Sequence, residues 1–206
     1  MQTELNYDVV FDAQEHFRLL LDSMSRPGKI NTYPLVDILP PEGITQGAAL
    51  TGFALLNADV SHCITGENAG EIADYLLINT ASQQADPSVA DYVFVPEDYF
   101  GEELYGARNG TATYPEDSTT LIISCELISD KPHGNSRKFT LKGPGVNGIA
   151  EVYVSGINAD LLHFIKDSNS EYPLGIDMVI TDRYNNILGI PRSNNFSFSH
   201  PEHFNL

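Results

Sequence analysis

Three short segments of this chain carry residue types that can bind an anionic group. The first is the glycine-rich run 142–148, Lys-Gly-Pro-Gly-Val-Asn-Gly, and glycines after a strand can present backbone N–H groups to a phosphate. Gly143, Gly145 and Gly148 match the spacing of a dinucleotide-binding loop, but that site needs a helix next and a strand is predicted there. The run also lacks the Gly-Lys-Ser/Thr ending of a P-loop. A phosphate-binding loop and a tight connection with unusual backbone angles both remain open.

The other two segments each offer an arginine. Arg26 lies in the run Ser-Arg-Pro-Gly at 25–28, where it binds an anion or a partner carboxylate, or is a solvated arginine at a plain helix stop. Asp177 and Arg192 become neighbours if 175–180 and 187–190 pair as a hairpin, and they then form either an ion pair that fixes the hairpin or a ligand-facing pair. The candidate ligand-binding residues are therefore Arg26, Lys142, Gly143, Gly145, Asp177 and Arg192.

No catalytic or metal-binding motif accompanies these candidates. Cys63 and Cys125 lie far apart in apolar, strand-like runs, which predicts buried free thiols, with a disulfide or a reactive thiol as alternatives. His16 is predicted on the exposed side of a helix, and His200 and His203 in a mobile tail. The sequence contains no His-Glu-x-x-His, Gly-x-Ser-x-Gly or zinc-type cysteine spacing. We therefore nominate no catalytic residue and no metal ligand.

The elements that must position the candidates alternate between helix and strand. A helix is predicted at about 12–25, with Asp12 as N-cap, Glu15 completing a capping box and Pro27-Gly28 as the stop. Further helices are predicted at 47–56, 69–79 and around 161–165, and the predicted strands are 61–65, 91–95, 119–127, 138–142, 149–154, 175–180 and 187–190. This order predicts an α/β fold with a mixed sheet. We expect one domain over residues 1–206, with 193–206 loosely ordered.

Composition narrows the class of protein. The 206 residues are 42% hydrophobic, which is typical of a globular chain, and no run of 18 apolar residues predicts a membrane span. The first residues lack the pattern of a signal peptide, so we expect a cytoplasmic protein. With 28 acidic and 11 basic residues the formal net charge is -17, which disfavours binding to nucleic acid or to an anionic membrane.

Three runs together resemble a known family. They are DAQEHFRLLLDSMSRPG at 12–28, LKGPGV at 141–146, and YPLGID at 172–177 followed by IPR at 190–192. In this order and spacing they are similar to the PhnH family of phosphonate metabolism, and the similarity extends from about residue 8 to about 198. The departures are mild: Tyr172 stands where phenylalanine is expected, Ser193 where threonine is expected, and the segment 128–138 is longer.

The resemblance implies a fold and a set of partners. The fold is expected to be three-layered and like the large domain of pyridoxal-phosphate-dependent transferases, yet without that cofactor or any other. The isolated chain is expected to form a homodimer and to assemble with the PhnG, PhnI and PhnJ subunits of the carbon–phosphorus lyase core. That assembly makes a ribose 1-phosphonate 5-triphosphate from ATP and a phosphonate, and this chain is expected to lack a complete active site. The alternatives are a binding module for the phosphonate or ribosyl-triphosphate ligand, and a stand-alone transferase.

Overall fold

The chain forms four α-helices between residues 7 and 199. The computed structural model describes residues 7–199. The helices are α1 (Phe11–Ser25), α2 (Gln46–Leu55), α3 (Ala69–Thr80) and α4 (Ala159–Ser168), and short 3-10 helices occur at Glu102–Gly106, Pro115–Asp117 and Asn169–Glu171. Within the described residues no helix is long and apolar enough to cross a membrane.

Seven strands form a large mixed sheet. They are β1 (Asn31–Thr32), β2 (Ser61–Ile64), β3 (Gln83–Gln84), β4 (Tyr92–Val95), β5 (Thr120–Ser124), β9 (Asp177–Thr181) and β10 (Asn186–Ile190). The order across the sheet is β1-β10-β9-β5-β4-β2-β3. From β9 to β3 every neighbouring pair is parallel, whereas β10 pairs antiparallel with both β9 and β1. The central β5 is buried along nearly its whole length, which explains its continuous apolar run.

Four further strands form a smaller sheet. They are β6 (Leu127–Ser129), β7 (Arg137–Lys142), β8 (Ala150–Ser155) and β11 (Asn195–Phe198). Their order is β11-β7-β8-β6 and all pairs are antiparallel. The segment 195–198, within the tail 193–206 that is predicted to be loosely ordered, pairs in register with β7 as a strand that the sequence does not predict. The prediction for 200–206, including His200 and His203, lies outside the described residues.

The large sheet separates two apolar clusters, so the fold has three layers. On one face, α1, α2 and α3 pack against alternate strand residues such as Phe94, Ile122 and Val179. On the other face, Leu121, Ile123 and their equivalents meet the small sheet and α4. Successive residues of a strand point to opposite faces, and both faces here are covered. The fold is thus α/β with a mixed sheet, as the sequence predicts.

The first helix differs in detail from its prediction. The Asp8 carboxylate, not that of Asp12, accepts hydrogen bonds from the first helical N–H groups, at 2.8 Å from Val10 N and 2.9 Å from Phe11 N. His16, predicted to be exposed, is buried at 1% exposure, whereas Phe17 is 44% exposed. His16 lies against the ring of Tyr33, so the buried face of the helix is rotated from the one that the leucines alone indicate.

A buried carboxylate joins the two sheets. Asp182, in the turn between β9 and β10, is fully buried. Its oxygens accept hydrogen bonds from the backbone N of Ile128 in β6 at 2.9 Å and, within its own turn, from Tyr184 N and Asn186 N at 2.8 and 2.9 Å. Buried charge is tolerated when it is hydrogen-bonded in this way. The carboxylate therefore fixes the β9–β10 turn to the edge of the small sheet.

A prediction concerns Gly189 in β10, where the end of α1 lies directly on the sheet. A Cβ at this position would lie 2.7 Å from Met24 N and 2.8 Å from the Ser23 carbonyl carbon, so the helix must shift. We expect Gly189→Ala to lower the free energy of unfolding by about 1–3 kcal/mol, measured by chemical denaturation. Gly70→Ala is the control, because a Cβ on Gly70 meets nothing within 4 Å. Equal stability of the two variants would contradict this packing.

Candidate functional site

The structure brings two of the predicted segments together at the end of α1. A Cβ on Gly145 would overlap the carbonyl oxygen of Ser25, and one on Gly28 would overlap the Cβ of Ala150. Both glycines have positive φ, +78° and +95°, in the region that glycine adopts most readily. The turn after α1 and the loop 143–148 therefore pack with their backbones in direct contact, and we call this surface the motif junction.

Asn194 holds the other side of the same loop. Its Nδ2 donates to the Pro144 carbonyl at 3.0 Å. A Cβ on Gly143, whose φ is +140°, would lie 2.8 Å from that nitrogen. The loop closes on itself through Val146 N and the Gly143 carbonyl at 3.1 Å. These contacts use the glycines for close approach, which favours a tight connection over a phosphate-binding loop.

The positive charges at the motif junction are partly neutralised. Arg26 is 57% exposed and pairs with Asp22, and Lys29 Nζ lies 2.7 Å from the same carboxylate. Lys142 is exposed at the end of β7, directly before the loop. Two cations share one carboxylate, and a third borders the glycine loop, so the junction is a locally basic surface on an acidic chain.

Asp177 and Arg192 are neighbours, as the hairpin predicts, and both are mostly buried. Their side chains approach to 3.7 Å at 20% and 17% exposure, and Arg192 N donates to Asp177 Oδ1 at 2.7 Å. The guanidinium also donates to the carbonyls of Pro115 at 2.6 Å and Gly175 at 3.2 Å and to the Ser118 hydroxyl. These internal partners favour an ion pair that fixes the hairpin over a ligand-facing pair.

A cleft that the sequence does not predict lies at the carboxyl ends of the parallel strands. Its volume is about 390 Å³, and its lining includes Thr45, Gln46, Glu97, Ser124 and Arg183. These residues follow or end β4, β5 and β9 and begin α2. Ligands of open α/β sheets bind at this end of the strands. Finding the cleft requires the strand order, which local patterns do not supply, although Thr45 has the residue type of an N-cap.

Hydroxyl groups of the cleft are held in a fixed arrangement. Thr45 Oγ1 accepts from Ala48 N at 3.1 Å and lies 2.6 Å from Thr181 Oγ1, while Thr45 N donates to Ser124 Oγ at 3.1 Å. Arg183 Nη2 donates to both carboxylate oxygens of Glu97, at 2.7 and 3.0 Å. The cleft thus offers hydrogen-bond donors near a helix N-terminus, but its one guanidinium is already paired with a carboxylate.

Cys63, Cys125 and His62 are buried, and burial shifts the pKa of each side chain. Burial raises the pKa of the Cys63 thiol to about 11 and that of Cys125 well above its ordinary value. Burial also lowers the pKa of His62 to about 4. Thiolates are the reactive form of cysteine, so these shifts favour the unreactive thiol form. Both cysteines are buried and free, as the sequence predicts. Between residues 7 and 199 no group of three potential metal-ligating side chains occurs.

The packing of the glycine loop yields a matched test. Gly145 and Gly148 have nearly equal φ, +78° and +76°, but a Cβ on Gly148 meets nothing within 4 Å. Gly148→Ala should cost only the backbone strain of about 1–2 kcal/mol. Gly145→Ala should cost roughly 1–3 kcal/mol more through overlap with Ser25. Urea denaturation measures both, and indistinguishable variants would show that the loop is not packed against α1.

Removal of the Arg192 guanidinium tests the hairpin ion pair. Arg192→Ala leaves the Asp177 carboxylate without its partner in a mostly buried place, so the free energy of unfolding should fall by about 2–4 kcal/mol. Arg183→Ala is the control, because its pair with Glu97 is at the surface, where such pairs contribute little. Arg192→Ala as stable as wild type would contradict the structural role of the pair and favour the ligand-facing alternative.

Comparison with known proteins matches nearly the whole chain to one family. The family described as bacterial phosphonate metabolism protein (PhnH) matches residues 6–197. A relative from Rhizobium meliloti (strain 1021), the alpha-D-ribose 1-methylphosphonate 5-triphosphate synthase subunit PhnH, is 26% identical over 194 residues, covering 90% of each chain. A putative C-P lyase subunit protein, HtxG, from Stutzerimonas stutzeri is 25% identical over 182 residues, covering 87% of this chain and 83% of the relative. This chain belongs to the PhnH family of bacterial phosphonate metabolism proteins.

Proposed function

We propose that this chain is the PhnH subunit of a carbon–phosphorus lyase core complex and is needed to form a ribose 1-phosphonate 5-triphosphate from ATP and an alkylphosphonate. The observation that carries the proposal is the family match over nearly the whole chain. Two relatives aligned over more than four-fifths of their lengths are named as subunits, one of the synthase and one of a C-P lyase. The partners we propose are the PhnG, PhnI and PhnJ subunits.

We further propose that the chain acts through the assembly rather than through a complete active site of its own. Burial raises the pKa of both thiols, which favours their unreactive protonated form, and the Arg192 guanidinium is bound by internal acceptors. Arg183 in the strand-end cleft is paired with Glu97. This internal engagement supports a role in shaping or completing a site whose chemistry other subunits provide.

Three finer features belong to the same proposal. They are a homodimer in isolation, a cytoplasmic location, and a likeness of the fold to the large domain of pyridoxal-phosphate-dependent transferases. What supports the likeness is the mixed sheet with five parallel strands, covered by three helices on one face. Sedimentation velocity of the isolated chain measures the first feature directly.

A second candidate function is a binding module for the anionic phosphonate or ribosyl-triphosphate ligand. The observation that favours it is that the exposed glycine loop packs on the end of α1, beside Arg26 and Lys29, and directly follows the exposed Lys142. Charged groups of this kind bind phosphate through charge-assisted hydrogen bonds. Calorimetry with a ribosyl triphosphate measures such binding, and no heat at millimolar ligand, both for the isolated chain and in complex, would reject this candidate.

Assembly and growth test the leading proposal. Co-expression of this chain with PhnG, PhnI and PhnJ should yield a stable hetero-oligomer that elutes as one peak in size-exclusion chromatography, with this chain identified by mass spectrometry. A strain without the chain should fail to grow on methylphosphonate as its phosphorus source and recover when the chain is supplied. Partners that assemble and support growth equally well without it would overturn the proposal.

A further inference from the structure

A surface groove between α4 and the 3-10 helix Glu102–Gly106 is lined by three aromatic rings. Phe100, Tyr105 and Phe164 contact one another, with ring centroids 5.5 to 6.0 Å apart. The groove has a volume of about 360 Å³ and lies apart from both the motif junction and the strand-end cleft. Tyr105 is 66% exposed, so a large aromatic surface faces solvent there, although burial of such a ring is favourable.

Two carboxylates border these rings. Asp160 and Asp167 line the groove and lie seven residues apart on α4, so they share one face of the helix about 10 Å apart. His163, between them on α4, also lines the groove. Neither carboxylate forms an ion pair with any residue between 7 and 199. The negative charge around the rings is therefore not neutralised within the described part of the chain.

Aromatic faces beside free carboxylates are suited to an organic cation. A cation over a ring is attracted by the ring's quadrupole, and a carboxylate binds a guanidinium through two parallel hydrogen bonds. Arginine stacks on aromatic rings and forms such bonds at once, which the point charge of lysine does not. One guanidinium reaches one carboxylate, and the second carboxylate adds long-range attraction.

We propose that this aromatic–acidic groove is an interaction site that receives an arginine side chain of a partner subunit of the complex. The inference rests on the proposed function, since it needs a partner. The groove is open, with its rings at the surface, which suits a protruding side chain. Residues 1–6 and 200–206 contain no arginine, so they do not supply a guanidinium. Binding of a second copy in the groove is a separate outcome of the test.

The test measures assembly with variants of the groove. The purified chain is titrated onto an immobilised complex of PhnG, PhnI and PhnJ at low and high salt. Tyr105→Ala and the double variant Asp160→Asn/Asp167→Asn should each raise the Kd by at least about 10-fold, as expected for anchor residues. The double variant should also reduce the salt dependence of binding, because it removes two charges. Thermal unfolding verifies that the variants fold.

Two control variants distinguish a loss of binding at the groove from a general effect of removing a surface tyrosine or two acidic side chains. Tyr184→Ala removes a tyrosine of similar exposure, 68%, and Glu71→Gln/Asp74→Asn removes two exposed acids from α3. Both should bind within about threefold of wild type. Wild-type assembly with equal affinity of groove and control variants would overturn this inference and leave the proposed function standing. Failure of wild type to assemble would overturn both. Groove variants that weaken only a homodimer would assign the groove to a second copy and overturn the inference as stated.

Discussion

The end of α1 touches both sheets through backbone atoms, and the arrangement of the layers depends on that contact. Gly189 lets the last turn of the helix lie directly on β10 of the large sheet, where a Cβ would meet Met24 N at 2.7 Å. Gly145 lets the loop after β7 of the small sheet lie on Ser25. Close packing leaves no room for a side chain at either place. One helix end therefore fixes the relative position of the helical layer, the large sheet and the small sheet.

A second link fastens the sheets at the turn between β9 and β10, and it has a different physical basis. There the buried Asp182 carboxylate accepts hydrogen bonds from backbone N–H groups of β6 and of its own turn. At the helix end the backbones are in contact, so an added side-chain atom would force them apart. At Asp182 the link depends instead on hydrogen bonds to a buried carboxylate, all of whose donors must be in place. Between the two lies the apolar cluster that the small sheet and α4 share with the large sheet. The basic motif junction, the strand-end cleft and the aromatic–acidic groove are all held on this one framework.

Local signals in the sequence predict the helices and strands well, but they predict poorly which elements pair or pack together. The four helices and the β9–β10 hairpin follow from periodicity and from glycine, proline and asparagine at their ends. The proximity of Asp177 and Arg192 follows from the hairpin. The strand β11 is missed because Asn195–Phe198 is short and half polar, and its partner β7 lies more than fifty residues earlier. His16 is buried by Tyr33, on another element. The strand-end cleft depends on the order β9-β5-β4, which no local pattern specifies.

The distribution of charge separates the surfaces that the framework presents. The chain has a net charge of -17, yet Arg26, Lys29 and Lys142 gather at the motif junction. Most other described ion pairs, such as Arg183 with Glu97 and Lys138 with Glu151, combine one cation with one carboxylate. In the aromatic–acidic groove, Asp160 and Asp167 form no ion pair with any residue between 7 and 199. Complementary charge sets the orientation and the rate of association more than its affinity, whereas buried aromatic rings supply affinity. The aromatic–acidic groove combines both and is therefore suited to a specific and lasting contact. The basic motif junction is a separate surface, suited to an anionic ligand or an acidic neighbour.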